Sequence, residues 1–125
     1  DSVMFSSSSS RLTSRASKKI DEVGKILQEY PNTIIQVAGF TDSRGSDKHN
    51  HRLSKRRAKS VVDRLYHAGV NNPSYATGCA DANPLVPNDS KKNMALNRRI
   101  EIYLYPDTDA RIDPCLSKSD KKAKS

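Results

Sequence analysis

One run of this sequence, Thr33-Ile34-Ile35-Gln36-Val37-Ala38-Gly39, is dense in β-branched and small apolar residues and lies between two stretches of helical periodicity. β-Branched side chains suit a pleated, packed surface, so the run reads as a buried strand. The stretch before it places Ala16, Ile20, Val23, Leu27 and Tyr30 three or four apart, which draws one apolar stripe on a helix. Thr13 or Ser14 caps its start, and Pro31-Asn32 ends it. The stretch after it, about Asp47 to Ala68, carries Leu53, Val61, Leu65 and Ala68 on one face, with Ala58 beside them and Gly69 as C-terminal cap. A strand between two one-sided helices needs a sheet for those helices to cover.

The rest of the chain supplies it. Val3-Met4-Phe5 starts a short strand, and the serines Ser6 to Ser10 form a loop. Ser74 to Cys79 reads as a further strand. Residues 80–92, with Pro84 and Pro87, read as loop, and Asn93 to Asn97 as a short helical turn. Arg99-Ile100-Glu101-Ile102-Tyr103-Leu104-Tyr105 alternates cleanly and reads as the closing, antiparallel strand. The order β-α-β-α-β-β gives an α+β domain, with helices packed on one face of a mixed sheet. This body is expected over residues 1–105, and residues 106–125 as a basic, extended or disordered tail that a disulfide at Cys115 would pin.

Composition limits the function classes. The hydrophobic fraction is 34%, with no Trp and two Phe, so the core rests on Ile, Val, Leu and Ala. No apolar run approaches the roughly 20 residues needed to span a bilayer, so any membrane association is expected through parts outside this chain. Asp1-Ser2-Val3-Met4-Phe5 lacks the long apolar stretch of a signal peptide, so if the protein is exported its signal is expected to have been removed, or this is an excised domain. The net charge of +8, from 22 Lys and Arg against 14 Asp and Glu, favours polyanionic partners. A nucleic-acid-binding or protein-interaction domain is the alternative this charge raises. Yet the sequence has no nucleic-acid motif and no spaced stacking aromatics, and Lys55, Arg56 and Lys59 read more simply as solvated surface. No nucleic-acid partner is expected.

Catalysis and metals find little support. His49 and His51 splay around a helix, His67 stands apart, and no G-x-S-x-G elbow occurs. Cys79 and Cys115 have no metal-ligand spacing. They are either independent buried thiols or one disulfide. Cys115 lies in a polar, Pro-containing tail, which favours the disulfide and with it an oxidising compartment such as a periplasm.

Arg57 is the anomaly. It lies four residues after Leu53 and four before Val61, on the apolar stripe, while Lys55 and Arg56 fall toward solvent. A buried arginine needs a partner, and Asp42, just beyond the central strand, is the nearest acid in a loop. A structural salt bridge and a ligand clamp both fit that spacing. In a clamp, the acid accepts from a ligand ammonium and the arginine forks onto a ligand carboxylate.

These residues sit in motifs that resemble a known family. Gly39-Phe40-Thr41-Asp42-Ser43-Arg44-Gly45, then Asn50-His51-Arg52-Leu53-Ser54-Lys55-Arg56-Arg57-Ala58, resembles the G-H-T-D-x-x-G and N-x-x-L-S-x-x-R-A signature of OmpA-like peptidoglycan-binding domains. Gly78, Asn83-Pro84, Asn88-Asp89 and Asn97-Arg98-Arg99-Ile100-Glu101 follow the same family's later motifs. The resemblance covers about residues 3 to 105. It implies non-catalytic binding of the diaminopimelate residue of peptidoglycan, without cofactor, in the periplasm or associated with the outer membrane, and anchoring of an envelope protein to the wall. It assigns the ligand to Asp42 and Arg57. Thr41 and Phe40 are expected to offer backbone donors. Asn50 lines the pocket or braces the loop, Ser8 approaches from the first loop, and Asn97 with Arg98 supports the pocket edge. Two positions depart from the family pattern. Phe40 replaces its usual His, and Phe5-Ser6 replaces its usual F-D.

Overall fold

A computed structural model describes Phe5 and residues 9–116. Its elements are α1 (Ser14–Leu27), β1 (Ile34–Gly39), α2 (Asp47–His67), β2 (Ser74–Gly78), α3 (Lys91–Asn97) and β3 (Ile100–Tyr105). The strands form one sheet in the order β2-β1-β3. β2 runs parallel to β1, and β3 runs antiparallel to it. The α+β class and the mixed sheet are as expected from the sequence. Val3 and Met4, where the first strand was expected, lie outside the described residues. Phe5 makes only an isolated antiparallel bridge, to Leu12.

The helices start where short polar side chains satisfy free N–H groups. Thr13 Oγ1 accepts from Ala16 N–H at 3.1 Å, and Ser46 Oγ accepts from His49 N–H at 3.2 Å; such caps contribute about 1 kcal/mol each. α1 stops at Leu27, a turn earlier than its periodicity suggested. Tyr30 therefore lies past the helix and is exposed rather than on its stripe. α2 ends through Gly69 at φ +99°, and Val70 N–H reaches back to the Leu65 carbonyl at 3.0 Å.

β1 is buried on both faces. Ile35 and Val37 join Ile20, Leu27, Ala58, Val61, Leu65 and Val70 in the main core beneath α1 and α2. Alternation sends Ala38 and Phe40 the other way, into a second cluster with Cys79, Cys115 and Tyr103. The chain after β3 helps cover this second face. Cys115 is bonded to Cys79, with Cα atoms 5.1 Å apart across 36 residues, and the Arg111 guanidinium lies 4.0 Å from the Tyr75 ring centre. Residues 106–116 thus fold back over the sheet, with a short 3-10 turn at Thr108–Ala110. Residues 117–125 lie outside the described residues.

α2 sits unusually close to the sheet. Gly39 and Gly78 are register partners on β1 and β2. A side-chain carbon on Gly39 would collide with the Ser54 carbonyl, and one on Gly78 would stand 2.5 Å from Lys55 N. With hydrogen at both positions, the backbone of α2 seats on the C-terminal ends of the parallel strands. Ser54 Oγ then accepts from Ala80 N–H at 3.1 Å. This seating places Arg57, one turn further along α2, within electrostatic reach of Asp42 in the loop that leaves β1.

Candidate functional site

Asp42 follows directly from the way β1 ends. Phe40 N–H donates to Arg99 O at 2.9 Å, and Thr41 N–H donates to Ala80 O at 2.7 Å. The chain therefore stays clamped between its neighbours for two residues past Gly39. The backbone donors expected from Phe40 and Thr41 are spent inside the fold and do not face a ligand. The Phe40 ring is likewise buried, 3.9 Å below the Arg99 guanidinium, where it packs the second cluster. The Thr41 hydroxyl donates to the Asp42 carbonyl at 2.8 Å.

The Asp42 carboxylate, with its side chain 5% exposed, is held by two arginines. Oδ1 accepts from the Arg44 backbone N–H at 2.9 Å, an Asx turn, and from Arg44 Nε at 3.1 Å. Oδ2 accepts from Arg44 Nη2 at 2.9 Å and from Arg98 Nη1 at 2.5 Å. Burial by itself raises the carboxyl pKa. The hydrogen bonds from the Arg44 side chain and backbone and from Arg98, with the Arg44 charge, outweigh it and hold Asp42 down at about 2.

Arg57 is not the partner of this carboxylate. The buried rib of α2 is Asn50, Leu53, Ser54, Ala58, Val61 and Leu65, and Arg57 borders it, half-buried. Its Nε donates to the Ser9 carbonyl at 2.8 Å, and its guanidinium lies 4.9 Å from the centre of the Phe5 ring. A backbone oxygen and an aromatic face thus replace the expected acid, as the amphipathic arginine side chain permits. Burial lowers the Arg57 pKa, the Arg98 charge lowers it further, and the Asp42 charge opposes both. Arg57, Arg98 and Asp42 therefore share one electrostatic neighbourhood. Among the described residues no carboxylate forms an ion pair with Arg57.

The remaining expected residues divide into braces and one unplaced position. Asn50 is buried, and its Nδ2 donates to the Arg44 carbonyl at 2.8 Å, so it holds the Asp42 loop rather than facing outward. Asn97 is fully buried. Its Oδ1 accepts from Leu85 and Val86 N–H, and its Nδ2 donates to Val86 O and Asn88 Oδ1. It shapes the loop before α3 and so places Arg98, the next residue. Ser8 lies outside the described residues, although Ser9 beside it meets Arg57 and Ser10 O accepts from Ser60 Oγ at 2.7 Å.

Arg44 was missed as a site residue. The Asp-x-Arg spacing was the available signal, because an Asx turn folds the side chain at the third position back over the acid. Elsewhere on α2, His51, Arg52, Lys55 and Arg56 line a shallow basic concavity that includes neither Asp42 nor Arg57. Among the described residues there is no group of three or more His, Cys, Asp or Glu placed to hold a metal ion, and no helix long and apolar enough to cross a membrane.

Comparison with known proteins follows the same residues. A model of the OmpA family matches residues 4–98. The "Probable lipoprotein YiaD" of Escherichia coli is 40% identical over 107 residues, which are 85% of this chain and 49% of YiaD. The peptidoglycan-binding protein ArfA of Mycobacterium tuberculosis is 36% identical over 86 residues, 68% of this chain and 26% of ArfA. The chain thus spans about half the length of YiaD and about a quarter of ArfA. Among solved structures, the C-terminal domain of Helicobacter pylori MotB superposes with a TM-score of 0.72 at 31% identity, covering 86% of this chain and 85% of that one. The cell wall anchor of the T6SS from Pseudomonas aeruginosa gives 0.72 at 27% identity, covering 82% and 74%.

Proposed function

We propose that this chain, which belongs to the OmpA family, anchors an envelope protein to peptidoglycan by binding the diaminopimelate residue of the stem peptide. The relatives support the coarser part of this reading. One is named as peptidoglycan-binding, and another is titled a cell wall anchor. Its place is the periplasm or the outer-membrane face of the envelope.

The observation that carries the finer part is the charge arrangement at the end of β1. One acid, Asp42, stands among Arg44, Arg57 and Arg98, and among the described residues Arg57 meets a carbonyl and a ring instead of an acid. The free end of diaminopimelate bears an ammonium and a carboxylate on one carbon. Asp42 accepts from the ammonium, and Arg57 donates to the carboxylate as a charge-assisted pair. Binding, not catalysis, suits this acid. A carboxyl held at about 2 is a weak base at neutral pH, far from the value a proton-transfer group needs.

The test is a crystal soak with meso-diaminopimelate. The expected result is one amino-acid end of the ligand between Asp42 and Arg57. Ligand bound elsewhere, or none at saturating concentration, refutes the assignment.

A further inference from the structure

The Asp42 carboxylate has every acceptor position filled. An ionised carboxylate offers about four lone-pair sites. Here they are taken by the Arg44 backbone N–H, Arg44 Nε, Arg44 Nη2 and Arg98 Nη1. A ligand ammonium gains an acceptor at Asp42 only if one of these donors leaves.

The donors are not equally fixed. The Arg44 backbone N–H is locked by the turn, and Asn50 pins that residue's carbonyl. Arg98 is 21% exposed and follows Asn97, the buried hub of the neighbouring loop. The Arg44 side chain is 63% exposed, and Asp42 is its ion-pair partner. Water replaces the protein contacts of an exposed guanidinium at little cost, so its release is the easiest of the three. Release frees one position on each carboxylate oxygen.

We propose that Arg44 is a displaceable latch on Asp42, opened by ligands that carry an ammonium and a carboxylate on the same carbon. The proposal rests on the reading of Asp42 as the ammonium acceptor given above. A bare amine gains little from opening the latch. It exchanges one cation for another at Asp42 and brings no anion to Arg57 and Arg98, whose charges oppose each other. A zwitterion brings its own carboxylate to that cationic rim. Arg44 therefore weakens binding by competing for Asp42, and it makes entry depend on the ligand's carboxylate.

The test compares the wild-type chain with Arg44→Ala, using meso-diaminopimelate and pimelate, the same diacid without ammonium groups, in calorimetric titrations. Arg44→Ala is expected to bind diaminopimelate roughly two- to fivefold tighter, the range expected from losing one exposed ion pair. Pimelate binding is not expected to tighten. In the unsubstituted chain, the Arg44 Nε–H resonance is expected to move on adding diaminopimelate, as its bond to Asp42 is released. Equal or weaker diaminopimelate binding by the variant, equal tightening toward both ligands, or an unmoved Arg44 resonance at saturation overturns the latch. If wild type binds, Asp42→Ala does not, and Arg44→Ala binds no tighter, only the latch fails. If neither wild type nor Arg44→Ala binds diaminopimelate, the diaminopimelate reading fails, and the latch with it.

Discussion

The carboxylate of Asp42 is held by Arg98, 56 residues further along the chain, at 2.5 Å, whereas Arg57 turns its Nε to the carbonyl of Ser9. The two groups assigned to the ligand are thus kept apart by different partners. A direct salt bridge would have tied the two side chains to each other. Instead the ionised acid is paired with Arg44 and Arg98, and Arg57 is left without a carboxylate among the described residues.

Asn97 is the first place to test how the site is braced. Asn97→Ala would leave the N–H groups of Leu85 and Val86 and the carbonyl of Val86 without their partner inside the protein. The expected cost is about 2–4 kcal/mol, from several broken bonds to a fully buried side chain. Urea unfolding measures it. Because Arg98 is the adjacent residue, wall binding should weaken as well.

The close approach of α2 gives a second expectation. Gly78→Ala would push a methyl carbon into the backbone at Lys55 and His51, which cannot swing aside as a side-chain tip can. Destabilisation of about 1–3 kcal/mol or more is expected, as for overpacking generally. An Ala at Gly45, where φ is +87°, strains the loop by a different route. Thermal melts of both variants distinguish a seating defect from a loop defect, since only Gly78→Ala should disturb the amides of α2.

The Cys79–Cys115 disulfide closes a long loop and sits beside the Ala80 carbonyl that holds Thr41. Reduction, or Cys115→Ser, is expected to lower stability by about 2–4 kcal/mol. Hydrogen exchange at Thr41 should quicken in the reduced protein. An unchanged melting temperature in reducing agent would refute the role given to this bond.

Acid stability follows from Asp42. Its pKa is about 2 in the fold against an ordinary value of 3.8. A depressed carboxyl contributes stability that is fully present above the unfolded value and is lost as pH falls through the folded one. Between about pH 4 and pH 2, unfolding by urea should become easier, and Asp42→Asn should flatten part of that slope. Ligand binding should stay level from about pH 5 to 8, because Asp42 remains ionised throughout.

How much of this was legible depended on distance along the chain. Arg57 stood out because helical spacing put a charge on an apolar stripe, and Asp42 because it followed a buried strand. The strands and α2 were visible in local patterns. The partners were not. Arg98 is far from Asp42 in sequence, and nothing local says which basic side chain reaches back to it. Phe40 looked like a site residue because of its place in the motif. Strand alternation instead turns its ring to the second face, and the β1 ladder extends past Gly39 to consume its N–H. The tail showed only its pin at Cys115, because its remaining order comes from contacts such as Tyr75 beneath Arg111, not from its own periodicity.

If Asp42 and Arg57 act together on the wall, retention needs both side chains. Retention on insoluble peptidoglycan sacculi, measured beside the melting temperature for wild type, Asp42→Ala and Arg57→Ala, tests it most directly. Wild type should be retained and both variants lost from the pellet at least tenfold, about 1.4 kcal/mol or more, while each still melts cooperatively. Variants that fold and remain on the sacculi as wild type does would contradict it.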